Sequence, residues 1–571
     1  MSRQFFDKHE QTLTSAIDAI AKRGFFSAYP EVPSRKIYGD TAMEDGQAAF
    51  KARLGKPFAM DNPGGHPGSD RVGKEVSPYG IDLAITYPSA SPIELMNAAE
   101  RASEQWRQTD IDQRVGICLE ILARLNQQSF AMAFAAMHTT GQGFMMAFQA
   151  AGPHAQDRGL EAVAQAYLAM TQAPPMAVWR KQVSKTDFVS LAKHYRVVPK
   201  GIGLVIACST FPTWNTYPGL MANLATGNVC ILKPHPEVIL PVAMTVQTCR
   251  EVISEAGLDP NIVLLAVDTV EEPMTKALSS SPEVDIVDYT GNSEFGNWVE
   301  SHAKAEVFTE KAGVNSIIID SVDDFRGMTS NIAFSLCLYS GQMCTAPQNI
   351  FIPKSGIETN DGHKSFDDVV QGIVKAVNGL LGDPDRAAEV LGCVQNSATV
   401  DRIAMHASTG ETVVRASEQL TNPKFADARV YSPLILTVDV GEDGHYRHEA
   451  FGPICWMIAT PSTQKSVEVA ADLAKDVGAI TCSIYSQSDE VLADASDAMV
   501  DAGALVSCNL TGPLYVNQTA AFSDLHVSGL NPSGNATLCD VGFVTRRFRI
   551  GQSRMPVTEI AEQKEQAHAS V

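Results

Sequence analysis

The spacing of apolar and polar residues changes character along the chain. From about residue 91 to 172 apolar positions recur at helical intervals. "SPIELMNAAERASEQWRQ" (91–108) sets Ser91 as an N-cap with Pro92 in the first turn, and "GPHAQDRGLEAVAQAYLAM" (152–170) closes this helical layer. "FVSLAKHYRVVPKG" (188–201) then alternates as a strand or hairpin does. Short, unbroken apolar runs follow: "GLVIAC" (203–208), "NVCILK" (228–233), "NIVLLAV" (261–267) and "VDIVDYT" (284–290). Separated by helical stretches, they predict a buried parallel sheet. "NSIIID" (315–320), "QNIFIP" (348–353), the helical "DVVQGIVKAVNGLL" (368–381), "AITCSIY" (479–485) and "ALVSCN" (504–509) predict a second α/β lobe. Residues 1 to about 90 are rich in Pro, Gly and charge and show little apolar periodicity, with "NPGGHPGSD" (62–70) the clearest loop signal.

Composition narrows the function classes. A chain of 571 residues exceeds one ordinary core, and 45% hydrophobic residues are normal globular usage. A net charge of -21 argues against nucleic acid and anionic membranes as partners, since those surfaces recruit Lys and Arg. The N-terminus carries scattered charge and no apolar core, so no secretory signal is expected, and no apolar run is long enough for a membrane helix. The 11 cysteines form no CxxC pair, so neither a metal site nor a redox dithiol is expected. Reduced thiols in a cytoplasmic protein are the simplest account.

Four short segments carry candidate chemistry. In "YTGNSEFGNWVESH" (289–302) the turn Gly291–Gly296 links a strand to a helix, so backbone N–H groups and the helix dipole can face a phosphate; an ordinary strand-to-helix turn reads the same way, and GxGxxG is absent. In "FTEKAG" burial of Glu310 among small and apolar residues would raise its pKa toward that of a general base, although a solvated glutamate is the default. "LYSGQMCTAPQ" (338–348) places Cys344 just after Gly341-Gln342, where a stabilised thiolate would be a nucleophile; most of the other cysteines read as core residues. "EAFGP" (449–453) sets Glu449 and Phe451 on a Gly-Pro turn.

Taken in order, these segments resemble the aldehyde dehydrogenase superfamily from about residue 90 to 535. The resemblance implies an α/β fold with a Rossmann-like cofactor lobe, an α/β catalytic lobe and a β-hairpin oligomerisation element. The implied divisions are 1–185 (extension and helical part of the cofactor domain), 186–200 (oligomerisation strand), 201–311 (cofactor domain), 312–527 (catalytic domain) and 528–571 (C-terminal oligomerisation segment or tail). It implies Cys344 as nucleophile, Glu310 as base, Lys233 on the cofactor's adenosine ribose, Glu449 and Phe451 on the nicotinamide side, and Gly291, Asn292 and Gly296 in the glycine turn. The segments 138–163, "STFPTWNTYPG" and "SGLNPSGNATLCD" (528–540) are similar to the phenylacetate-degradation N-type branch. The implied substrate is a semialdehyde from aromatic ring cleavage, free or CoA-linked, and the implied assembly a homodimer or homotetramer. Glu310 favours a free acid as product; a CoA-acylating enzyme and a catalytically silent relative are the alternatives.

Three departures mark this chain. The glycine pair after the glutamate is Ala312-Gly313. No lysine occurs within "TYPGLMANLA" to serve a proton relay. Pro236 stands where a ribose-binding glutamate is expected, with Glu237 one place late, so the cofactor leans toward NADP over NAD, with Lys233 and His235 left to meet negative charge. The oxyanion donor is also displaced. Counting back from Lys233 without gaps puts it at Thr210; Asn215 fits only if five residues are removed from a packed helix, which would rotate its apolar face. Thr210 is therefore the expected donor, and Asn215 a helix-start or packing residue.

Overall fold

The four apolar runs between residues 203 and 290 become strands of one parallel sheet in the computed structural model, which describes residues 3–61, 63 and 71–557. Across the sheet the order is Val263–Leu265, Val229–Lys233, Ile202–Ile206, Val284–Gly291 and Glu306–Lys311. The first strand in the chain lies at the centre, and the connections run outward from it in both directions. Strands covered on both faces need apolar residues throughout, which is why these runs do not alternate. Glu306–Lys311 is the strand that the pattern did not predict. It flanks the sheet, and its sequence EVFTEK carries three charges. Its outer side is covered by a C-terminal segment: Lys311 donates its backbone N–H to the Ser533 carbonyl at 2.6 Å, and Thr309 donates to the Asn535 side chain at 2.7 Å.

The second lobe is a seven-stranded sheet in the order Thr412–Arg415, Leu434–Asp439, Ile454–Thr460, Pro347–Pro353, Asn315–Ile319, Thr481–Tyr485, Leu505–Cys508, with Thr412–Arg415 its one antiparallel member. Side chains alternate between two cores on its faces. Ile317 and Ile319 join one, with Ile350, Ile352 and Met457; Ile318 joins the other, with Phe351, Trp456 and Ile458.

Helices pack on the parallel sheet. Pro92–Trp106 starts with a complete capping box between Ser91 and Glu94, as its sequence predicts. Ala155–Thr171 packs on Thr216–Ala225 and is entered through a π-turn, Ala150–His154, that contains Pro153. The N-terminal region corrects the sequence reading. Gln4–Lys22 is a helix burying Phe6, Leu13, Ala16, Ala19 and Ile20, a helical period scattered among charges. It packs against Ile111–Gln127 at Gly116, where a Cβ would stand 2.4 Å from the Phe6 backbone nitrogen. Ala42–Lys51 is a further helix, whereas the "NPGGHPGSD" loop signal falls, apart from Pro63, outside the described residues.

Phe188–Pro199 pairs with Met176–Gln182 as a hairpin and on its other side with Phe548–Pro556. Among the described residues no helix is long and apolar enough to cross a membrane. The C-terminal strand is anchored to the parallel sheet by Arg547. Its fully buried guanidinium bonds both Asp288 oxygens at 2.8 and 2.5 Å and the Asn223 carbonyl oxygen at 2.9 Å. Arg547→Met leaves Asp288 uncompensated in the core, so denaturant unfolding should show a loss of ~3–5 kcal/mol. A change below ~1 kcal/mol would mean that Asp288 is satisfied without it.

Candidate active site

The central strand Ile202–Ile206 and its neighbour Val284–Gly291 end side by side, with Ile206 opposite Tyr289. Strand order reverses here, and a crevice opens beyond such carboxyl ends. A cleft of about 640 Å³ begins at this point and is walled on its far side by the second lobe. Lys233, His235, Pro236, Gly291 and Asn292 line one part of it; Thr210, Asn215, Glu310, Cys344, Glu449 and Phe451 line the rest. The structure thus brings together every expected site residue except Gly296. Gly296 is buried behind the turn, where a Cβ would stand 2.6 Å from the Lys311 side chain; its role is close packing.

Cys344 is aimed by a strained turn. After the helix Phe325–Cys337, Tyr339 (φ 51), Ser340 (φ 50) and Gly341 (φ 62) are successively left-handed. A left-handed non-glycine residue costs on the order of 1–3 kcal/mol, so the surroundings must impose it. Tyr339 donates its hydroxyl to the Thr140 carbonyl at 2.6 Å, and Ser340 to that of Leu391 at 3.0 Å. Asn315 then donates to the carbonyls of Cys344 and Ala346 at 2.8 and 2.9 Å, fixing the backbone on either side of Thr345.

Glu310 sits on Glu306–Lys311, 4% exposed. Its Oε2 accepts from the Asn215 amide at 2.8 Å, and its Oε1 lies 3.0 Å from His526 Nε2. The same Nε2 is 3.8 Å from the Cys344 sulfur. Burial pushes the Glu310 pKa up, but His526, Cys344 and Asn215 together hold it below the ordinary carboxylate value. The sequence expectation of a raised pKa is therefore corrected: burial was read without its hydrogen-bond donors. Burial and the Glu310 charge push the Cys344 thiol well above its usual range. Sγ, Nε2 and a carboxylate oxygen lie within 4.8 Å of one another, close enough for a metal ion. A nucleophilic sulfur must stay free, so we read the cluster as a catalytic set.

The Thr213-Trp214-Asn215 tripeptide also works in the site. Thr213 donates to the Ala151 carbonyl at 3.1 Å, tying the loop to the π-turn, and Trp214 meets the His526 ring edge-on at 4.7 Å. Asn215 occupies the N-cap position of Thr216–Ala225, yet its side chain caps nothing and turns to Glu310 instead. It stands at the helix start, as expected, and its side chain in addition reaches Glu310. Thr210 does line the cleft, its hydroxyl 4.0 Å from the Cys208 sulfur and its carbonyl bonded by Gln142 at 2.8 Å. Cys208 is a second thiol in the cleft, pushed up to about 11 chiefly by burial.

At the other end Lys233 pairs with Asp268 at 2.6 Å, both side chains 2% exposed. Burial lowers the His235 pKa to about 4, which leaves the ring neutral. The Asp268 carboxylate and the neutral imidazole thus leave little free positive charge at this end, and no motif marks Asp268 as the partner of Lys233. Glu237 is exposed and does not line the cleft, whereas Lys276 lines its rim above Trp298. Burial raises Glu449 to about 7, opposed by Arg402, which also holds the Phe451 carbonyl at 2.6 Å. Gly313 meets the Gly478 carbonyl so closely that a Cβ would stand 2.6 Å from it, whereas Ala312 has room on the cleft wall. His526, Asp268 and Trp214 were missed in the sequence; nothing in their local spacing marks them.

A groove that joins a buried lysine, a helix N-terminus at Asn292 and a Glu–Phe pair to a thiol and a carboxylate suits an extended dinucleotide. Comparisons with known proteins agree. The profile of the "Aldehyde dehydrogenase family" matches residues 76–536. A crystal structure of an NAD-dependent aldehyde dehydrogenase from Burkholderia multivorans is 50% identical, with a TM-score of 0.95 over 98% of this chain and 100% of that one. The 1-pyrroline-5-carboxylate dehydrogenase of Bacillus subtilis (strain 168) is 24% identical over 462 residues, 78% of this chain and 83% of its own length. The N-succinylglutamate 5-semialdehyde dehydrogenase of Paraburkholderia xenovorans (strain LB400) is 24% identical over 429 residues, 74% of this chain and 80% of its own. The chain belongs to the aldehyde dehydrogenase family and is an NAD(P)-dependent aldehyde dehydrogenase.

Proposed function

We propose that this enzyme oxidises an aldehyde to the free carboxylic acid through a thioester on Cys344, with Glu310 activating the water that releases it. The observation that carries this reading is the single buried network joining Glu310, Asn215, His526 and Cys344 at the end of the dinucleotide groove. Cys344 adds to the aldehyde carbon, and hydrogen-bond donors stabilise the oxyanion. When bound, the nicotinamide supplies the hydride acceptor. Glu310, ionised and buried, then takes a proton from water.

The proposed substrate is a semialdehyde of the kind released by aromatic-acid ring cleavage in phenylacetate-type catabolism. Support comes from the segments 138–163, 209–219 and 528–540, which carry the branch resemblance; the second of them lines the cleft through Thr210, Phe211 and Asn215. The proposed setting is the cytoplasm. A homodimer or homotetramer is supported by the exposed Trp179, Phe188, Val189, Ile550 and Met555 on the three-stranded sheet.

In Glu310→Gln the first turnover should survive while deacylation slows by about 10²- to 10⁴-fold, giving a burst of reduced cofactor and then a slow phase. Cys344→Ser should show neither phase yet bind cofactor. Equal loss of both phases in Glu310→Gln would leave Glu310 with a purely positioning role.

Asn215 is the proposed oxyanion donor, together with the backbone N–H of Cys344, because its amide is held within the network while the Thr210 hydroxyl faces Cys208. Asn215→Ala should lower kcat by about 10²- to 10³-fold and Thr210→Val far less. The reverse ranking would return the role to Thr210.

Use of both cofactors with a lean toward NADP is supported by Pro236 in the groove, by Glu237 outside it and by Lys276 at its rim. The pairing of Lys233 with Asp268 makes that lean weak. Lys276→Ala should lower kcat/KM for NADP by about tenfold and leave NAD nearly unchanged, as loss of one phosphate contact would. A strong NAD preference in the unmodified enzyme would contradict the lean.

A further inference from the structure

The reaction proposed above leaves the thiol proton of Cys344 without a destination. A neutral thiol is a weak nucleophile, and burial beside a carboxylate favours the neutral form. Glu310 is a poor store for that proton, because it must be ionised when water attacks the thioester. The lysine that could have relayed it is absent from the helix Thr216–Ala225.

His526 touches both groups. Its Nε2 lies 3.8 Å from the sulfur and 3.0 Å from Glu310 Oε1. With Nδ1 protonated, a bare Nε2 sets its lone pair against the Glu310 oxygen at that distance, so Nε2 draws a proton into the space between nitrogen and oxygen. Nδ1 is 3.3 Å from the Thr519 hydroxyl, which can accept from Nδ1–H while Nε2 takes a further proton. The ring is buried and fixed edge-on by Trp214, and its backbone exchanges two hydrogen bonds with Leu538 at 2.9 and 2.8 Å. Facing it are Glu310, Cys344 and, across Trp214, the Arg158 guanidinium 5.4 Å from the indole, itself paired with Glu161.

We propose that His526 is a catalytic residue: it takes the thiol proton of Cys344 and holds it as an imidazolium between the thiolate and the Glu310 carboxylate. This rests on the Cys344–Glu310 reading above. The S–H bond breaks, an N–H bond forms on Nε2, and the electron pair stays on sulfur. Attack forms the C–S bond as the C=O π pair moves to oxygen; a nicotinamide held in the groove would supply the acceptor for the hydride lost when that pair returns and the thioester forms. Water then gives a proton to Glu310 while its oxygen adds to the carbonyl carbon, and the C–S bond breaks to return the electron pair to sulfur. Glu310 passes its proton to solvent, and His526 keeps the same proton throughout.

The test is the rate of iodoacetamide alkylation of Cys344 against pH in the purified enzyme, read by mass spectrometry of the peptide containing it. The wild type should react at and below neutral pH. H526Q should lose about 10²-fold in rate at neutral pH, recovering only in alkali, and should slow the hydride burst in parallel. T519V, which keeps the ring but removes the acceptor at Nδ1, should shift the profile upward by a smaller amount and decides the matter if H526Q fails to bind cofactor. An alkylation profile unchanged in both variants overturns the proposal. Failure of the wild type to oxidise any aldehyde would instead sink the reaction assignment, which the alkylation profile does not depend on.

Discussion

The site is organised around a carboxylate taken out of water. A buried ionised glutamate survives only with donors on its oxygens, and Glu310 obtains them from three separate parts of the chain: Asn215 from the loop after the central strand, His526 from the C-terminal segment, and the Cys344 thiol from the second lobe. Each donor must be delivered at hydrogen-bond distance. That requirement explains the strained Tyr339–Gly341 turn, the pairing of residues 531–535 along Glu306–Lys311, and the uncapped helix start at Asn215. Local energy is given up at each of these places to satisfy one charge.

Much of the fold was legible from periodicity. Fully buried parallel strands have one chemical solution, unbroken apolar runs, and the runs at 203–208, 228–233 and 284–290 all mark strands of the cofactor sheet. Periodicity fails where charge is buried with partners or where burial is one-sided. Glu306–Lys311 buries Glu310 in the site and Lys311 against Glu300, and the helix Gln4–Lys22 contacts the core on one face, so its apolar positions are diluted by polar ones.

The proposed reacting residues Cys344 and Glu310 were legible because each lies in a short segment with its own turn or strand. Their electrostatics were not. The direction of the Glu310 shift depends on His526, which lies 216 residues away in sequence and reaches the site only because the C-terminal segment folds back along an edge strand. Lys233 is another such case, its charge met by Asp268 from a separate loop. Asn215 shows a different limit: the gapless count back from Lys233 reaches Thr210, and only the fold shows that the Asn215 amide turns to Glu310.

Two thiols, Cys344 and Cys208, line the cleft, and the account assigns the covalent chemistry to the first alone. The most direct test mixes enzyme, aldehyde and oxidised cofactor, quenches in acid within the first turnover, and locates the acyl group by peptide mass spectrometry. The account predicts one acyl group per reduced cofactor, on the peptide containing Cys344. Acylation of the Cys208 peptide, or reduced cofactor formed with no acylated cysteine, would contradict it.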